Sequence, residues 1–252
     1  MSARDMHKYD LTVNGFCVSA SFTDEEISRI LDHVLDTLIA IHLEKTEKSR
    51  TVAFFAGPPG AGKSTLSMAL EKRARERKLM LQVQSLGLDG FHLKSSILKT
   101  RKTVKDGREI SLSDIKGAPE TFDAGGFLKA AEQAKFSFDA PWPVYDRRLH
   151  DVIDGAVKVT GDILFIEGNW LLLPGLWQEA RKLSDRNYAV LAPDPLLKER
   201  LIQRKQMGGK TPAEALLWYE NVDEPNVRLY HALSAAPDET FMQNEYGRWK
   251  KL

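Results

Sequence analysis

The chain has 252 residues, 42% hydrophobic and 28% charged, with a formal net charge of +1. That length suffices for one sizeable domain with a real core and is short for two. The near-neutral balance gives no reason to expect a polyanion such as nucleic acid as an obligatory partner. A single cysteine, Cys17, excludes an internal disulfide, so a reducing, cytoplasmic setting is expected. The opening MSARDMHKYD lacks the apolar stretch of a signal peptide, and no run approaches the roughly 18 apolar residues of a membrane span, so no membrane partner is expected.

Asn14-Gly15 stands between two β-prone arms, the strongest short signal for a hairpin. Thr23 with Glu26 three residues on reads as a helix start, and Ile27, Ile30, Leu31, Val34, Leu35, Leu38 and Ile41 recur at helical spacing. A polar stretch over 44–50 ends that helix. Val52-Ala53-Phe54-Phe55-Ala56 is apolar without alternation, as expected of a parallel strand buried on both faces. A helix over 63–78 follows, its charged run 71–78 reading as a solvated face. Further strands are expected over 81–86, 162–166 and 188–191. Helices are expected over 124–135, 177–183, 195–205, 211–219 and 227–233, and the polar, weakly patterned 99–118 as a long loop. Strands alternating with helices imply an α/β fold, a mainly parallel sheet between two helical layers.

Gly57-Pro58-Pro59-Gly60-Ala61-Gly62-Lys63-Ser64-Thr65 matches Gly-x-x-x-x-Gly-Lys-[Ser/Thr] in full, after a buried strand and before a helix. Its glycines let the backbone approach phosphates without a Cβ in the way, and the helix N-terminus behind them favours an anion. Lys63 adds a charge at the β/γ-phosphates and Ser64 offers a hydroxyl to Mg²⁺, so a nucleoside triphosphate and Mg²⁺ are the expected cofactors, ATP being the nucleotide that the resemblance below implies. Glu167, closing the apolar run 163–166, either helps hold that metal or is an ordinary strand-end carboxylate. Asp89, in Asp89-Gly90-Phe91-His92, is either a turn residue or the group that orients an acceptor hydroxyl. The six histidines show no close metal-ligand spacing, and no zinc site is expected.

These segments, with Pro143-Val144-Tyr145-Asp146-Arg147-Arg148-Leu149-His150 between them, stand in the order seen in the phosphoribulokinase/uridine kinase family, which includes bacterial-type pantothenate kinases. Lys116-Gly117-Ala118-Pro119-Glu120-Thr121-Phe122-Asp123 and Glu167-Gly168-Asn169-Trp170 resemble one bacterial branch of it, described as nucleoside/nucleotide kinases or fructose-transport-associated kinases. The resemblance runs from about residue 51 to the end. It implies a three-layer P-loop NTPase fold over 1–252, extended by the hairpin and helix of 1–50 and carrying a lid at about 203–212. It implies transfer of the γ-phosphate of ATP to a hydroxyl, with Asp89 orienting the acceptor and His92, Tyr145, Arg147 and His150 gripping it. Uridine kinases usually have Asp-Ser-Phe-Tyr in place of Asp-Gly-Phe-His, and lack the Arg147-Arg148 pair. A nucleoside, a pantothenate-like acid and a sugar all remain open as acceptors.

Arg147 and Arg148 either bind a carboxylate or phosphate on the acceptor or are solvated at the surface. Arg200 and Arg204 share a helix face, with Arg204 beside Gly208-Gly209 and expected to stabilise the transferring phosphoryl. Asn226 either contacts a ligand or caps a helix. The tryptophans read as packing residues, with Trp170 the one at the site edge. The competing function is a regulatory nucleotide switch; no Asn-Lys-x-Asp guanine-reading motif is present. Oligomeric state is left open.

Overall fold

The computed structural model describes residues 6–13, 16–105, 107–146 and 148–252; the Asn14-Gly15 turn and Arg147 lie outside them. Strands β1 (Met6–Val13) and β2 (Phe16–Thr23) pair antiparallel. Helix α1 (Asp24–Glu26), a π-helical turn (Ile27–Asp32) and α2 (His33–Glu44) follow as one helical run. The Thr23–Glu26 capping box forms in both directions, at 3.1 and 2.7 Å. Buried Glu26 does more than cap: its Oε1 accepts from the Trp249 backbone N–H at 2.6 Å, and its Oε2 lies 3.2 Å from Arg248.

Next come β3 (Thr51–Ala56), α3 (Lys63–Glu76) and β4 (Val83–Gly87). They are followed by α4 (Ser95–Thr100), β5 (Lys102–Lys105), β6 (Arg108–Ser111) and α5 (Ala124–Phe136). The chain continues with β7 (Pro141–Asp146), β8 (Asp151–Lys158), β9 (Ile163–Gly168), α6 (Leu176–Arg181) and β10 (Arg186–Leu191). It ends with α7 (Asp194–Met207), α8 (Pro212–Trp218), α9 (Glu224–Leu233), β11 (Glu239–Gln243) and β12 (Trp249–Lys251).

The central sheet has the order β12-β11-β10-β3-β9-β4, parallel except for the edge strand β12. Each inner strand divides its side chains between two cores. Ala53, Phe55, Ile163 and Phe165 face α2, α3 and the N-terminal hairpin, while Val52, Phe54, Leu164 and Ile166 face α5, Trp142, Trp170 and Trp177. That two-sided burial, worth about 1.5–3 kcal/mol for each large apolar side chain, explains the unbroken apolar runs in the sequence. The fold is the α/β P-loop architecture expected.

Three local readings change. Residues 99–118 contain the paired strands β5 and β6 and the 3₁₀ turn Leu112–Ile115, with a second 3₁₀ turn (Pro119–Thr121) just beyond, and Leu98, Leu112 and Ile115 belong to a small core of their own. The run 71–78 is a face of contacts as well as of solvent: Arg73 pairs with Asp32 at 2.9 Å, and Arg77 with Asp36 at 2.6 Å. Arg50, at the end of a stretch read as polar surface, is 2% exposed and donates to the carbonyls of Ala134, Ser137, Phe138, Val159 and Gly161.

Candidate active site

Strand β3 ends at Ala56 and the chain turns at once. A Cβ on Gly57 would meet the Val190 carbonyl oxygen of the neighbouring strand at 2.1 Å, so only glycine fits. Gly60 and Gly62 take φ of +82° and +95°, open to glycine at little strain, and α3 begins at Lys63. Lys63 is buried. Its Nζ donates to the carbonyls of Gly57 and Pro58 at 2.9 Å each and to Asn169 Oδ1 at 2.8 Å. All three partners are neutral. Burial therefore pulls its pKa down to about 8, with Arg204 acting in the same direction and Glu167 and Asp89 opposing.

Register places the next group. In the sheet Glu167 lies opposite Phe55 on one side and Gly87 on the other, at the C-terminal edge where open α/β sheets bind ligands. Ser64 Oγ donates to Glu167 Oε1 at 2.8 Å. A hydroxyl and a carboxylate side by side at the end of the phosphate loop are the hard oxygen donors that Mg²⁺ prefers, so these residues fit that ion.

Two residues beyond Gly87 comes Asp89, half-buried in the 3₁₀ turn Leu88–Phe91. Close packing fixes this turn. A Cβ on Gly168 would strike Leu88 at 2.5 Å, and one on Gly90 would meet the Pro143 carbonyl oxygen at 2.1 Å. Trp142 Nε1 donates to the Gly87 carbonyl at 3.0 Å. His92 Nδ1 lies 2.9 Å from the Asp89 carbonyl, which can only accept, so Nδ1 carries a proton. The His92 ring stands 5.5 Å from that of Tyr145. The backbone carbonyl of Asp89, the His92 ring and the Tyr145 ring thus stand in succession. His150 is exposed, and its carbonyl accepts from Ser95 Oγ at 2.7 Å and Lys116 Nζ at 3.2 Å. Arg148 is exposed. Arg147 lies outside the described residues.

No family model matches the chain. Among whole-chain relatives, the uncharacterized protein YggC of Escherichia coli (strain K12) is 36% identical over 243 residues, 96% of this chain and 98% of its own. A Schizosaccharomyces pombe protein, provisionally named uridine kinase C227.14, is 29% identical over 211 residues, 81% of this chain and 87% of its own. A crystal structure from Silicibacter sp. TM1040, provisionally named a fructose transport system kinase, superposes with a TM-score of 0.71 at 30% identity, covering 82% of this chain and 97% of its own. The chain belongs to the phosphoribulokinase/uridine kinase family of P-loop kinases.

In this P-loop kinase the two arginines of α7 separate in role. Arg200 Nη1 donates to the Gly60 carbonyl at 3.1 Å and its Nη2 to Gln243 Oε1 at 2.7 Å, bracing the phosphate loop. Arg204, one turn on, is exposed, and its charge is felt at both Lys63 and buried Asp223. Gly208 and Gly209 then break the helix, and Lys205 and Lys210 lie 4.0 and 5.3 Å from the ring centre of Trp218. Asn226 is buried within α9 and does not cap it; its Nδ2 would lie 3.8 Å from a Cβ on Gly117. Trp170 is fully buried, a packing residue whose Nε1 donates to the Gly117 carbonyl at 3.1 Å. Sequence reasoning missed Asn169 and Lys116; both stand inside segments singled out for resemblance, which was the available signal.

The Lys63 environment makes a testable prediction. Phosphate oxygens brought to Nζ raise its pKa again, so binding takes up a proton wherever the unliganded amine is already neutral. With EDTA present, ATP affinity is expected to be flat with respect to this group well below pH 8. Above that it should fall, approaching about tenfold per pH unit. At pH 8, calorimetry in two buffers of different ionisation enthalpy should show uptake of about half a proton per ATP from Lys63. No uptake there would contradict a depressed Lys63.

Proposed function

We propose that this protein is an ATP-dependent kinase that moves the γ-phosphoryl group of ATP onto a hydroxyl of a small molecule. The observation that carries the reading is the convergence at one sheet edge of Lys63, Ser64 with Glu167, and Asp89 on the next strand end. A phosphate-binding half and a carboxylate facing an acceptor would thus stand side by side at that edge, close enough for Asp89 and Glu167 both to act on the charge of Lys63.

The loop 57–65 would cradle the β- and γ-phosphates through backbone N–H groups, with Lys63 supplying charge. Ser64 and Glu167 would hold Mg²⁺, which when bound spreads the negative charge of the phosphates. A cleft of about 370 Å³ beside Gly62 and Thr65, lined also by Arg200, Gln243 and Trp249, would receive the base of the nucleotide. Asp89 would accept a hydrogen bond from the acceptor hydroxyl and aim its oxygen at the γ-phosphorus. As the new P–O bond forms, the bond from that phosphorus to the β–γ bridging oxygen breaks, its electron pair leaving with ADP. The hydroxyl proton passes to Asp89 and then to water. Arg204 would close from α7 over the transferring group, the glycines after it allowing the lid of 203–212 to move. Positioning and electrostatics carry such a transfer without a covalent enzyme intermediate.

The test is ADP release from purified protein with Mg²⁺-ATP, across nucleosides, sugars, sugar phosphates and small hydroxy acids. A kinase should show release that one acceptor class raises many-fold, toward the roughly 1–100 s⁻¹ usual for kinases. Release at that rate with no acceptor, unchanged by any, would instead indicate a nucleotide switch.

A further inference from the structure

We propose that Asn169 reads the γ-phosphate of the bound nucleotide: its amide holds the Lys63 ammonium through Oδ1 and donates from Nδ2 to a γ-phosphoryl oxygen. This rests on the kinase reading above and adds a phosphate-reading residue to its site.

Position comes first. The sheet order β3-β9-β4 puts the end of β9 between the phosphate loop, which follows β3, and Asp89, which follows β4. Register pairs Ala56 with Gly168, so Asn169 is the first residue past β9 as Gly57 is the first past β3. A phosphoryl group passing from Lys63 to an acceptor at Asp89 crosses the strand end that carries Asn169. The backbone there is pinned on both sides. A Cβ on Gly168 would strike Leu88 at 2.5 Å. Trp170 is fully buried, its Nε1 donates to the Gly117 carbonyl at 3.1 Å, and its own carbonyl accepts from the Leu173 N–H at 3.0 Å. The Asn169 amide therefore starts from a fixed base, and little ordering is left to be done when a nucleotide arrives.

The hydrogen bonds of Lys63 give the chemistry. An ammonium has three donors and no acceptor. Those of Lys63 go to the Gly57 and Pro58 carbonyls at 2.9 Å each and to Asn169 Oδ1 at 2.8 Å. Two of these partners lie in the loop itself, and Asn169 comes from the neighbouring strand end, 106 residues on. Because Lys63 can only donate, the amide atom facing it is the oxygen, and Nδ2 with its two N–H groups points elsewhere. Among the described residues Nδ2 has no hydrogen-bond partner, and it is not closed off from solvent. A pair of donors beside an ammonium, at a half-buried strand end, matches an oxyanion. The residue type matters. A carboxylate here would pair with Lys63, as Asp185 pairs with Lys45 and Lys135 at 2.9 and 3.3 Å, and would repel phosphate. The neutral amide leaves the charge of Lys63 to the anion and adds donors to it. The loop and Lys63 serve both the β- and the γ-phosphate, whereas Asn169 stands on the acceptor side of Lys63 and serves the γ-phosphate alone.

The experiment measures, by calorimetry with Mg²⁺ present, the affinity for ADP and for adenylyl imidodiphosphate, a triphosphate analogue that resists transfer. The proteins are wild type, Asn169→Leu, which nearly keeps the side-chain volume, and Asn169→Ala, which leaves room. Circular dichroism and ADP affinity report that each variant is folded. In both variants the affinity for the triphosphate is expected to fall about tenfold or more, the loss of a hydrogen bond to a charged group. ADP affinity should stay within about threefold of wild type. A residue that merely holds Lys63 in place gives a different result: triphosphate and diphosphate weaken together, because Lys63 meets the β-phosphate of both. Equal loss of the two overturns the inference, as does triphosphate affinity within about threefold of wild type. Either of those results leaves the kinase reading standing. A wild-type protein that binds neither nucleotide removes both.

Discussion

Replacing Asp89 with asparagine is expected to lower acceptor-dependent turnover about 10²–10⁴-fold, the range of a positioned proton acceptor, while ATP affinity at pH 7 changes by about twofold or less. Asparagine keeps the size of the side chain, and the turn that carries it is fixed by Gly90 against Pro143 and by Gly168 against Leu88. The substitution therefore removes a charge and leaves the backbone in place. That charge also helps keep Lys63 protonated, so the pH at which ATP binding begins to weaken should move below that of the wild type. Equilibrium titration with ATP and steady-state kinetics with a responding acceptor separate the two effects. Loss of ATP binding at pH 7 in step with turnover would refute the assignment of Asp89 to the acceptor.

Arg50→Leu is expected to destabilise the protein by about 3–5 kcal/mol, a fall in Tm on the order of 10 °C for a chain of this size. The guanidinium is the common donor for five carbonyls on three segments: Ala134 at the end of α5, Ser137 and Phe138 beyond it, and Val159 and Gly161 before β9. Leucine leaves those oxygens buried without it, and an unmet buried acceptor costs about 1–3 kcal/mol. Arg50→Lys should recover only part of the loss, because an ammonium is a point charge without the fork that reaches several oxygens. Arg50 precedes β3 and the phosphate loop follows it, about 20 Å away at 3.3 Å per residue. ADP release at low temperature should accordingly stay within about twofold of wild type. Thermal denaturation checks the first statement; a Tm within 2 °C of wild type, about 1 kcal/mol or less, would contradict it.

The contrast between these two residues shows what the sequence exposes. Asp89, Lys63, Ser64 and Glu167 stand in motifs whose spacing carries chemistry, and the inner strands stand out because a parallel sheet buried on both faces needs continuous apolar residues. Arg50, Glu26, Asn169 and Lys116 act through partners 29 to 223 residues away, where no local pattern records the contact. The short strands β5, β6, β11 and β12 escaped for a related reason. They are three to five residues long and partly polar, and pairing rather than composition holds them. The side chain of Asn226 could be read from sequence as a helix cap, but α9 continues directly from the π-helical turn Tyr219–Asp223, so that end has no cap position to fill.

Strands β7 and β8 form a two-stranded sheet of their own and, among the described residues, share no strand pairing with the central one. Tyr145 rides on this ribbon, whereas Lys63, Glu167 and Asp89 belong to the strand ends of the main sheet. Under the reading above, the ribbon therefore carries one part of the acceptor site, Tyr145, and meets the part carried by the main sheet where Gly90 meets Pro143 and Trp142 meets Gly87. Under that reading, exchanging the ribbon would change the Tyr145 contact while Asp89, His92 and the nucleotide-side groups stay in place, provided those two junctions are kept.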